Sequence, residues 1–307
     1  MTNRKPIVVV GSINMDLVVR AQRIPITGET VQGSDFQTHP GGKGANQAVA
    51  VARLGYPVSM IGRLGNDVFG AELREHLQKS LVDVSAVGTS DTSSGVAMIV
   101  VSLSGDNTIV VTPGANAAVS PEDIDSNLDR LRAGGLVLTQ LEIPLETVEH
   151  LANVCAREGV PLMLDPAPAR DLPPAVIRHA RWFTPNETEA TFFSGSDRSD
   201  PPQAIVRRLL ALGPRAVVLK LGSRGVYLAD YDGLDRQIDA FPVRAVDTTA
   251  AGDAFNGAFA TALMLGNKSI ESARFATAAA AISVTRAGAQ PSLPNMEEVL
   301  QMLSGKF

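Results

Sequence analysis

The stretch Val246-Asp247-Thr248-Thr249-Ala250-Ala251-Gly252-Asp253-Ala254-Phe255-Asn256-Gly257 places a carboxylate directly after a turn of small residues that opens a helix. The first turn of a helix has free backbone N–H groups, and the side chains of Ala250, Ala251 and Gly252 are small enough for a phosphate to approach them. Asp253 beside an incoming phosphate is electrostatically unfavourable unless it has a task, such as accepting a proton from a hydroxyl that attacks phosphorus. The stretch therefore predicts a phosphoryl-transfer site. An ordinary helix start with an acidic first turn is the simpler alternative.

A helix is predicted to start near Gly252, because apolar residues then recur at helical spacing until Gly266. Elsewhere, short β-branched runs alternate with helical patterns. The predicted strands are Ile7–Val10, 59–61, 136–138, 161–164 and 216–219, and the predicted helices include 45–54, 69–79, 146–157 and 204–212. This alternation predicts an α/β fold: a doubly wound, mostly parallel sheet flanked by helices.

Two stretches interrupt the alternation because they carry no crossover helix. Residues 17–37 contain two extended pieces, and residues 95–112 are typical of two strands around a Ser-Gly-Asp-Asn turn. We predict one domain over residues 1–307 with a small antiparallel β appendage, built from insertions at about 15–38 and 94–113. Two unrelated surface hairpins are the alternative.

Composition limits the partners of this chain. It has 307 residues, 45% of them apolar, and a formal net charge of −5, so neither nucleic acid nor a membrane surface is an expected partner. The lone Cys155 has no metal-ligand spacing with any of the four histidines. The apolar run Ile7–Val10 is too short for a signal or membrane segment, so we expect a cytoplasmic protein that binds small molecules.

Polar side chains follow the first predicted strand, at Asn14 and Asp16. Ligands bind beyond the carboxyl ends of strands in open α/β sheets, and an amide beside a carboxylate suits neighbouring sugar hydroxyls. Turn chemistry explains these residue types equally well. Glu142 ends another strand in the same manner, with an ordinary acidic helix entry as its alternative.

A glycine-rich loop, His39-Pro40-Gly41-Gly42-Lys43-Gly44-Ala45-Asn46-Gln47, leads into a helix. Gly44 stands where a Walker loop needs Ser or Thr, and the third glycine of a dinucleotide fingerprint is missing. The loop alone therefore does not identify a ligand. The missing glycine also argues against a nicotinamide-dependent dehydrogenase, which the alternating pattern by itself would allow.

Two further motifs lie in the second half of the chain. Asn186 and Glu189, three residues apart at a helix start, fit either a capping box or a water-mediated Mg²⁺ site. Residues 220–225 form a glycine-bracketed turn after a strand, which fits either a β-hairpin or the edge of a ligand site.

Taken together, these motifs resemble those of the ribokinase-like family of carbohydrate kinases, the phosphofructokinase B type, over essentially the whole chain and in the same order. The resemblance implies ATP, Mg²⁺ and K⁺ as cofactors and Asp253 as general base. The implied catalytic set is Ala250, Ala251, Gly252 and Asp253. The implied sugar-binding set is Asn14, Met15, Asp16, Gly42, Lys43, Gly44, Ala45, Asn46, Glu142 and Asp253.

The resemblance also implies the remaining site residues. Nucleotide contacts are expected from Asn186, Lys220, Leu221, Gly222, Ser223, Arg224, Gly225, Gly252, Asp253 and Thr277, with Glu189 organising Mg²⁺ through water. A monovalent cation is expected at Asp247, Thr249, Ser283, Arg286, Gly288 and Ser292, where it would stiffen the turn before the helix.

The β appendage would then be a lid over the sugar and the interface of a homodimer. The likeness of the loops around Asn14 and Asn46 favours D-ribose, phosphorylated to D-ribose 5-phosphate. A kinase for 2-deoxyribose, fructose or a nucleoside would share every catalytic residue and is the main alternative. A non-catalytic sugar sensor is less favoured, because the Gly252-Asp253 pair is intact.

Overall fold

A computed structural model describes residues 4–307. Its strands are β1 (Ile7–Val10), β2 (Asn14–Ala21), β3 (Gly33–Gly41), β4 (Val58–Gly65), β5 (Asp83–Ser90), β6 (Gly95–Ser102), β7 (Asn107–Thr112), β8 (Leu136–Thr139), β9 (Leu162–Leu164), β10 (Ala180–Phe183), β11 (Ala216–Lys220), β12 (Val226–Asp230) and β13 (Asp235–Ile238).

The helices lie between these strands and after them. They are α1 (Lys43–Arg53), α2 (Val68–Lys79), α3 (Pro121–Ser126), α4 (Leu128–Ala133), α5 (Leu145–Glu158), α6 (Pro174–His179), α7 (Glu187–Ser194), α8 (Pro202–Leu210), α9 (Ala251–Met264), α10 (Ser269–Ser283) and α11 (Met296–Leu303). Short 3-10 turns occupy Gly114–Ala118, Gly222–Arg224 and Gln290–Ser292.

The large sheet has nine strands in the order β13-β12-β11-β10-β9-β8-β1-β4-β5. Pairings from β5 to β11 are parallel, whereas β11-β12 and β12-β13 are antiparallel. The interior strand β1 is fully buried, as expected for a parallel strand covered by helices on both faces. The predicted doubly wound, mostly parallel α/β fold is confirmed. The turn at residues 220–225 joins the antiparallel pair β11-β12, so the predicted hairpin is also present.

The small sheet has four strands in the order β3-β2-β6-β7. Its outer pairs are antiparallel, as predicted, and its central pair β2-β6 is parallel. The parallel central pair arises because β2 and β6 follow β1 and β5, two parallel strands that end at the same edge of the large sheet. The assignment of both sheets to one domain stays a prediction.

Helices α1 and α9 cross at very close range. A Cβ atom at Gly257 of α9 would lie 2.6 Å from Ala50 Cβ and 2.9 Å from the Gln47 carbonyl oxygen of α1. Glycine is therefore required at this crossing, and the first turns of the two helices meet at the carboxyl edge of the sheet. Among residues 4–307, no helix combines the length and apolar character that a membrane span needs.

Candidate active site

Asp253 lies in the first turn of α9, with 5% of its surface exposed. Two side chains of α1 donate hydrogen bonds to its carboxylate: Asn46 Nδ2 to Oδ2 at 3.0 Å and Gln47 Nε2 to Oδ1 at 3.0 Å. Burial raises the pKa of Asp253 to about 6, while the nearby Lys43 opposes that rise. The result is a fixed carboxylate whose proton affinity suits a general base near neutral pH.

The turn before α9 faces a cleft of about 640 Å³. Ala250 adopts the left-handed conformation, with φ of 58°, which ends the preceding loop and starts the helix. The amide of Ala251 donates to the Thr248 carbonyl at 3.3 Å. Within the predicted catalytic set, the Ala251 amide is therefore engaged within the turn, whereas the amides of Gly252 and Asp253 belong to the first helical turn, whose N–H groups lack intrahelical partners.

Most of the predicted nucleotide residues line this cleft. They are Asn186, Lys220, Gly222, Ser223, Gly225, Gly252, Asp253 and Thr277, together with Glu189. Two predicted residues do not. Leu221 is buried in the core, and the Arg224 side chain is exposed and paired with Glu187, so the prediction of a nucleotide contact by either side chain is not supported.

Asp165 is a site residue that sequence reasoning missed. It follows β9 at the carboxyl edge of the sheet and is 3% exposed. Lys220 Nζ lies 3.0 Å from its Oδ1, and Gln47 Nε2 lies 3.0 Å from its Oδ2. The signal available was its position, because an acidic residue directly beyond a buried parallel strand is a candidate for the ligand edge.

Gln47 and Gln140 were also missed. Gln140 Nε2 donates to Gln47 Oε1 at 2.6 Å, which orients the Gln47 amide with its NH₂ group toward the carboxylates of Asp165 and Asp253. One amide nitrogen therefore contacts both acidic residues. Gln47 stands in the quoted glycine-rich loop motif, but nothing in the sequence distinguishes it from a solvent-facing glutamine.

Lys43 is the cation of this cluster. Burial alone would lower the pKa of Lys43, but Asp253, followed by Asp165, Glu142 and Glu189, holds that pKa above its ordinary value. Lys43 therefore stays protonated in the cleft, which it lines.

The predicted sugar end lies beside Asp253. Glu142 Oε2 accepts hydrogen bonds from Ser12 Oγ at 2.5 Å and from the Lys43 amide at 3.1 Å. Burial, and then the charges of Glu142 and Asp253, raise the pKa of Asp16 to about 7. The carboxylates of Asp16, Glu142 and Asp253 are therefore close enough to influence one another's charge.

The two sugar-end loops approach each other through glycines. Gly42 has φ of 88°, and a Cβ atom there would lie 2.7 Å from the Asn14 amide nitrogen. A Cβ atom at Gly44 would lie 2.7 Å from the Ser12 amide nitrogen, and the Ala45 amide donates to the Ser12 carbonyl at 2.9 Å. The glycines are thus needed for contact between the loops.

Two predicted sugar contacts have side chains in the core. Met15 is fully buried and, because side chains alternate along a strand, lies on the face of β2 opposite Asn14 and Asp16. Ala45 is buried in the same cluster. The prediction of direct sugar contacts by these two side chains is therefore not supported.

Asn186 and Glu189 form a reciprocal cap at the start of α7. The Asn186 amide donates to Glu189 Oε2 at 2.7 Å, and the Glu189 amide donates to Asn186 Oδ1 at 2.9 Å. Burial raises the pKa of Glu189, and Asp165 raises it further, while Lys220 opposes both effects. The capping alternative is present, and the same carboxylate lines the cleft.

Asp247 links two segments that were predicted to bind a monovalent cation, the turn at Thr249 and the loop at Gly288. Its Oδ1 accepts from the Thr249 amide at 2.9 Å, and its Oδ2 accepts from the Gly288 amide at 2.8 Å. Burial alone would raise the pKa of Asp247, but the hydrogen bonds from Thr249 and Gly288 hold it below its ordinary value. These contacts bring three of the six predicted residues together.

The other three predicted cation ligands use their side chains locally. The Ser283 and Ser292 hydroxyls donate to the Ala280 and Ala289 carbonyls at 2.9 and 2.7 Å, and the Arg286 guanidinium pairs with Glu298. Arg286 could therefore serve a cation only through its backbone carbonyl.

Comparison with known proteins gives a consistent result. The sequence model of the pfkB family carbohydrate kinases matches residues 4–296. A ribokinase of Bacillus subtilis is 44% identical over 302 residues, which is 97% of this chain and 99% of that protein. A deoxyribokinase of Salmonella typhimurium is 37% identical over 302 residues, covering 97% of this chain and 98% of that protein.

A solved structure of Arabidopsis thaliana ribokinase, complexed with ribose and ATP, superposes with a TM-score of 0.91 at 36% identity. The match covers 98% of this chain and 99% of that one. The chain therefore belongs to the pfkB family of carbohydrate kinases.

Proposed function

We propose that this chain transfers the γ-phosphoryl group of ATP to the 5-hydroxyl of D-ribose, giving D-ribose 5-phosphate and ADP. The observation that carries the proposal is the position of Asp253. It is buried, held by Asn46 and Gln47, and lies where the cleft at the start of α9 meets the carboxylates Asp16 and Glu142. The choice of ribose is supported by ribokinases that are 36% and 44% identical to this chain over nearly its full length.

In this mechanism Asp253 accepts the proton of the 5-hydroxyl as its oxygen attacks the γ-phosphorus in line. The bond between that phosphorus and the bridging oxygen breaks, and ADP leaves with the electron pair. Lys43 and the amides of Gly252 and Asp253 stabilise the negative charge on the phosphoryl group as it is transferred. Asn14, Asp16, Asn46 and Glu142 hold the sugar hydroxyls.

The cleft offers suitable groups for Mg²⁺. Glu189 and Asp165 are buried carboxylates near each other, and Mg²⁺ prefers oxygen ligands and retains several waters. Bound with ATP, Mg²⁺ would neutralise phosphate charge. Glu189, oriented by Asn186, would hold it through water.

The loop around Asp247 offers suitable groups for K⁺. An ionised carboxylate, hydroxyl oxygens and backbone carbonyls are hard oxygen donors, and the loop leads directly into the amide turn before α9. A cation held there would stiffen that turn.

The small sheet would cover the sugar and join two subunits. Asn14 and Asp16 lie on one face of β2, and the register places Phe36, Met98 and Val110 on the opposite face. These three apolar side chains are 50–60% exposed, which is typical of a protein interface. An ATP-consuming reaction on a free sugar agrees with the predicted cytoplasmic location.

A kinase for 2-deoxyribose is the second candidate, because the Salmonella deoxyribokinase is 37% identical. The test is ADP release from MgATP, with K⁺ present, on D-ribose, 2-deoxyribose, fructose and adenosine. Selective turnover of D-ribose is expected. Preference for another acceptor would retain the mechanism and change the substrate, whereas no turnover with any acceptor would contradict the proposed function.

A further inference from the structure

Asn116 lies in the 3-10 turn Gly114–Ala118, directly after the small sheet, and is 1% exposed. It belongs to none of the motifs recognised in the sequence and does not line the cleft. Its carboxamide contacts the loop between β1 and β2. Oδ1 accepts from the Ile13 amide at 2.8 Å, and Nδ2 donates to the Ile13 carbonyl at 3.2 Å and to Asn14 Oδ1 at 2.6 Å.

The contacts with Ile13 determine which way both amides point. A backbone N–H can only donate and a backbone carbonyl can only accept, so the Asn116 carboxamide has one orientation. Its Nδ2 then faces Asn14, which must turn its Oδ1 toward Asn116. The NH₂ group of Asn14 points away from this contact, and within residues 4–307 it has no hydrogen-bond partner.

We propose that Asn116 is a positioning residue for the sugar: it fixes Asn14 so that Asn14 presents N–H donors, and not its carbonyl oxygen, to the acceptor. This role rests on the proposed function. Asn14 and Asp16 lie on the same face of β2, two residues apart. An ionised carboxylate accepts and the fixed amide donates, so the pair matches sugar hydroxyls, which do both.

Gly95 leaves room for this contact. It pairs with Asn14 in the register of β2 and β6, and a methyl group there would overlap both Asn116 Nδ2 and Asn14 Oδ1. The contact therefore joins the sugar loop to both ends of the β6-β7 hairpin. Ser94, the residue before Gly95, attaches the same hairpin at a different place: its amide and hydroxyl each donate to Asp67 at 2.7 Å.

Ser94 supplies the matched control. Ser94→Ala loosens the attachment of the hairpin without touching Asn14, whereas Asn116→Ala removes the group that orients Asn14. A general loosening of the small sheet would affect both variants alike. Loss of orientation would affect the Asn116 variant alone.

The experiment is a double-mutant cycle of wild type, Asn14→Ala, Asn116→Ala and the double variant, measured as the KM for D-ribose and as D-ribose binding by calorimetry without nucleotide. Losing one oriented hydrogen bond should raise the KM about tenfold in each single variant. Because Asn116 acts through Asn14, the double variant should match Asn14→Ala within about twofold. The KM for ATP and the KM of Ser94→Ala should stay near the wild-type values.

Effects of the two substitutions that multiply, or a normal KM for D-ribose in Asn116→Ala, would overturn the role. If Asn116→Ala does not fold, Asn116→Asp is used in the same cycle, because an ionised carboxylate still accepts from Ile13 but cannot donate to Asn14. Wild-type protein that neither binds nor phosphorylates D-ribose would overturn the proposed function itself.

Discussion

Gln47 Nε2 lies 3.0 Å from Asp253 Oδ1, so a side chain of α1 holds the proposed base of α9 although the two residues are 206 positions apart in the chain. The same nitrogen also contacts Asp165. A hydrogen bond to a charged group contributes about 1.5–3 kcal/mol, so Gln47 is expected to matter for turnover.

Gln47→Leu should lower kcat about tenfold or more, because Asp253 loses one of its two fixed donors. Gln47→Glu keeps the shape but adds a carboxylate beside Asp253, so the acid limb of its pH–rate profile should move to higher pH. Steady-state kinetics measure both effects. Gln78→Glu, at an exposed position of α2, is the control, and an unchanged kcat in Gln47→Leu would show that the contact is dispensable.

Asp253→Asn should lower kcat by about a hundredfold to ten-thousandfold, because the amide cannot accept the hydroxyl proton. The fold and D-ribose affinity should survive, because the new amide oxygen can still accept from Gln47 and Asn46 can turn its carboxamide so that its free Oδ1 accepts from the new amide nitrogen. Turnover, calorimetry and thermal melting check these points, with the exposed Asp91→Asn as control. Near wild-type turnover in Asp253→Asn would contradict its assignment as base.

The pH dependence should show two carboxylates. Since the pKa of Asp253 is raised to about 6, kcat should fall as the pH drops through that value and protonates the base. Since the pKa of Asp16 is raised to about 7, the KM for D-ribose should rise as the pH falls below neutrality. A KM that does not vary with pH would exclude an ionised Asp16 from sugar binding.

The contribution of these carboxyls to stability should change with pH in the direction opposite to turnover: it should decrease as the pH rises. A carboxyl whose pKa is raised on folding favours the folded state while it is protonated, and that contribution is lost as the pH rises through the folded pKa. Asp16→Asn should therefore melt at a higher temperature than wild type at about pH 8, where Asp16 is ionised. At about pH 4 the difference should shrink, and a lower melting temperature at pH 8 would contradict the raised pKa.

K⁺ should increase turnover relative to Na⁺ or a bulky cation, because a cation at the Asp247 loop would stiffen the turn before α9. Asp247→Ala should remove this preference and lower activity in K⁺, since Thr249 and Gly288 lose their shared acceptor. Initial rates in the three salts provide the measurement. The exposed Asp129→Ala should retain the wild-type response, and equal wild-type rates in all three salts would exclude the cation role.

Dimerisation should depend on the outer face of the small sheet. Met98→Lys combined with Val110→Lys introduces two charges on that face, where both side chains are about half exposed. Sedimentation equilibrium should find a dimer for wild type and a monomer for the double variant. Val68→Lys, at an exposed apolar position of α2, should leave the dimer intact, and a wild-type monomer would refute the proposal.

The sequence predicted the features that depend on local chemistry. The helix after Val246-Asp247-Thr248-Thr249 begins at Ala251, within one residue of the prediction, because small residues and the following apolar spacing define its start. The alternative cap at Asn186 and Glu189 was also readable, since both partners lie within one turn.

Long-range contacts could not be read in the same way. Gln140 and Asp165 follow β8 and β9, which are neighbours in the large sheet, and both contact Gln47 of α1, which lies 93 and 118 positions away from them in the chain. Side-chain direction was the other gap. Met15 and Arg224 both belong to predicted site motifs. Strand alternation, however, buries the Met15 side chain, and the Arg224 side chain pairs with Glu187 of α7 and does not line the cleft.

The missing side chain at Gly257 has a consequence for redesigning the acceptor. It lets α1 and α9 pack with their backbones almost in contact, so Asn46 and Asp253 are held in a fixed position relative to each other. Room for a bulkier acceptor therefore cannot be made by separating these helices without also displacing the base. Changes of substrate preference should instead be sought at positions of β6 and β7, because these strands belong to the four-stranded small sheet and not to the α1–α9 pair.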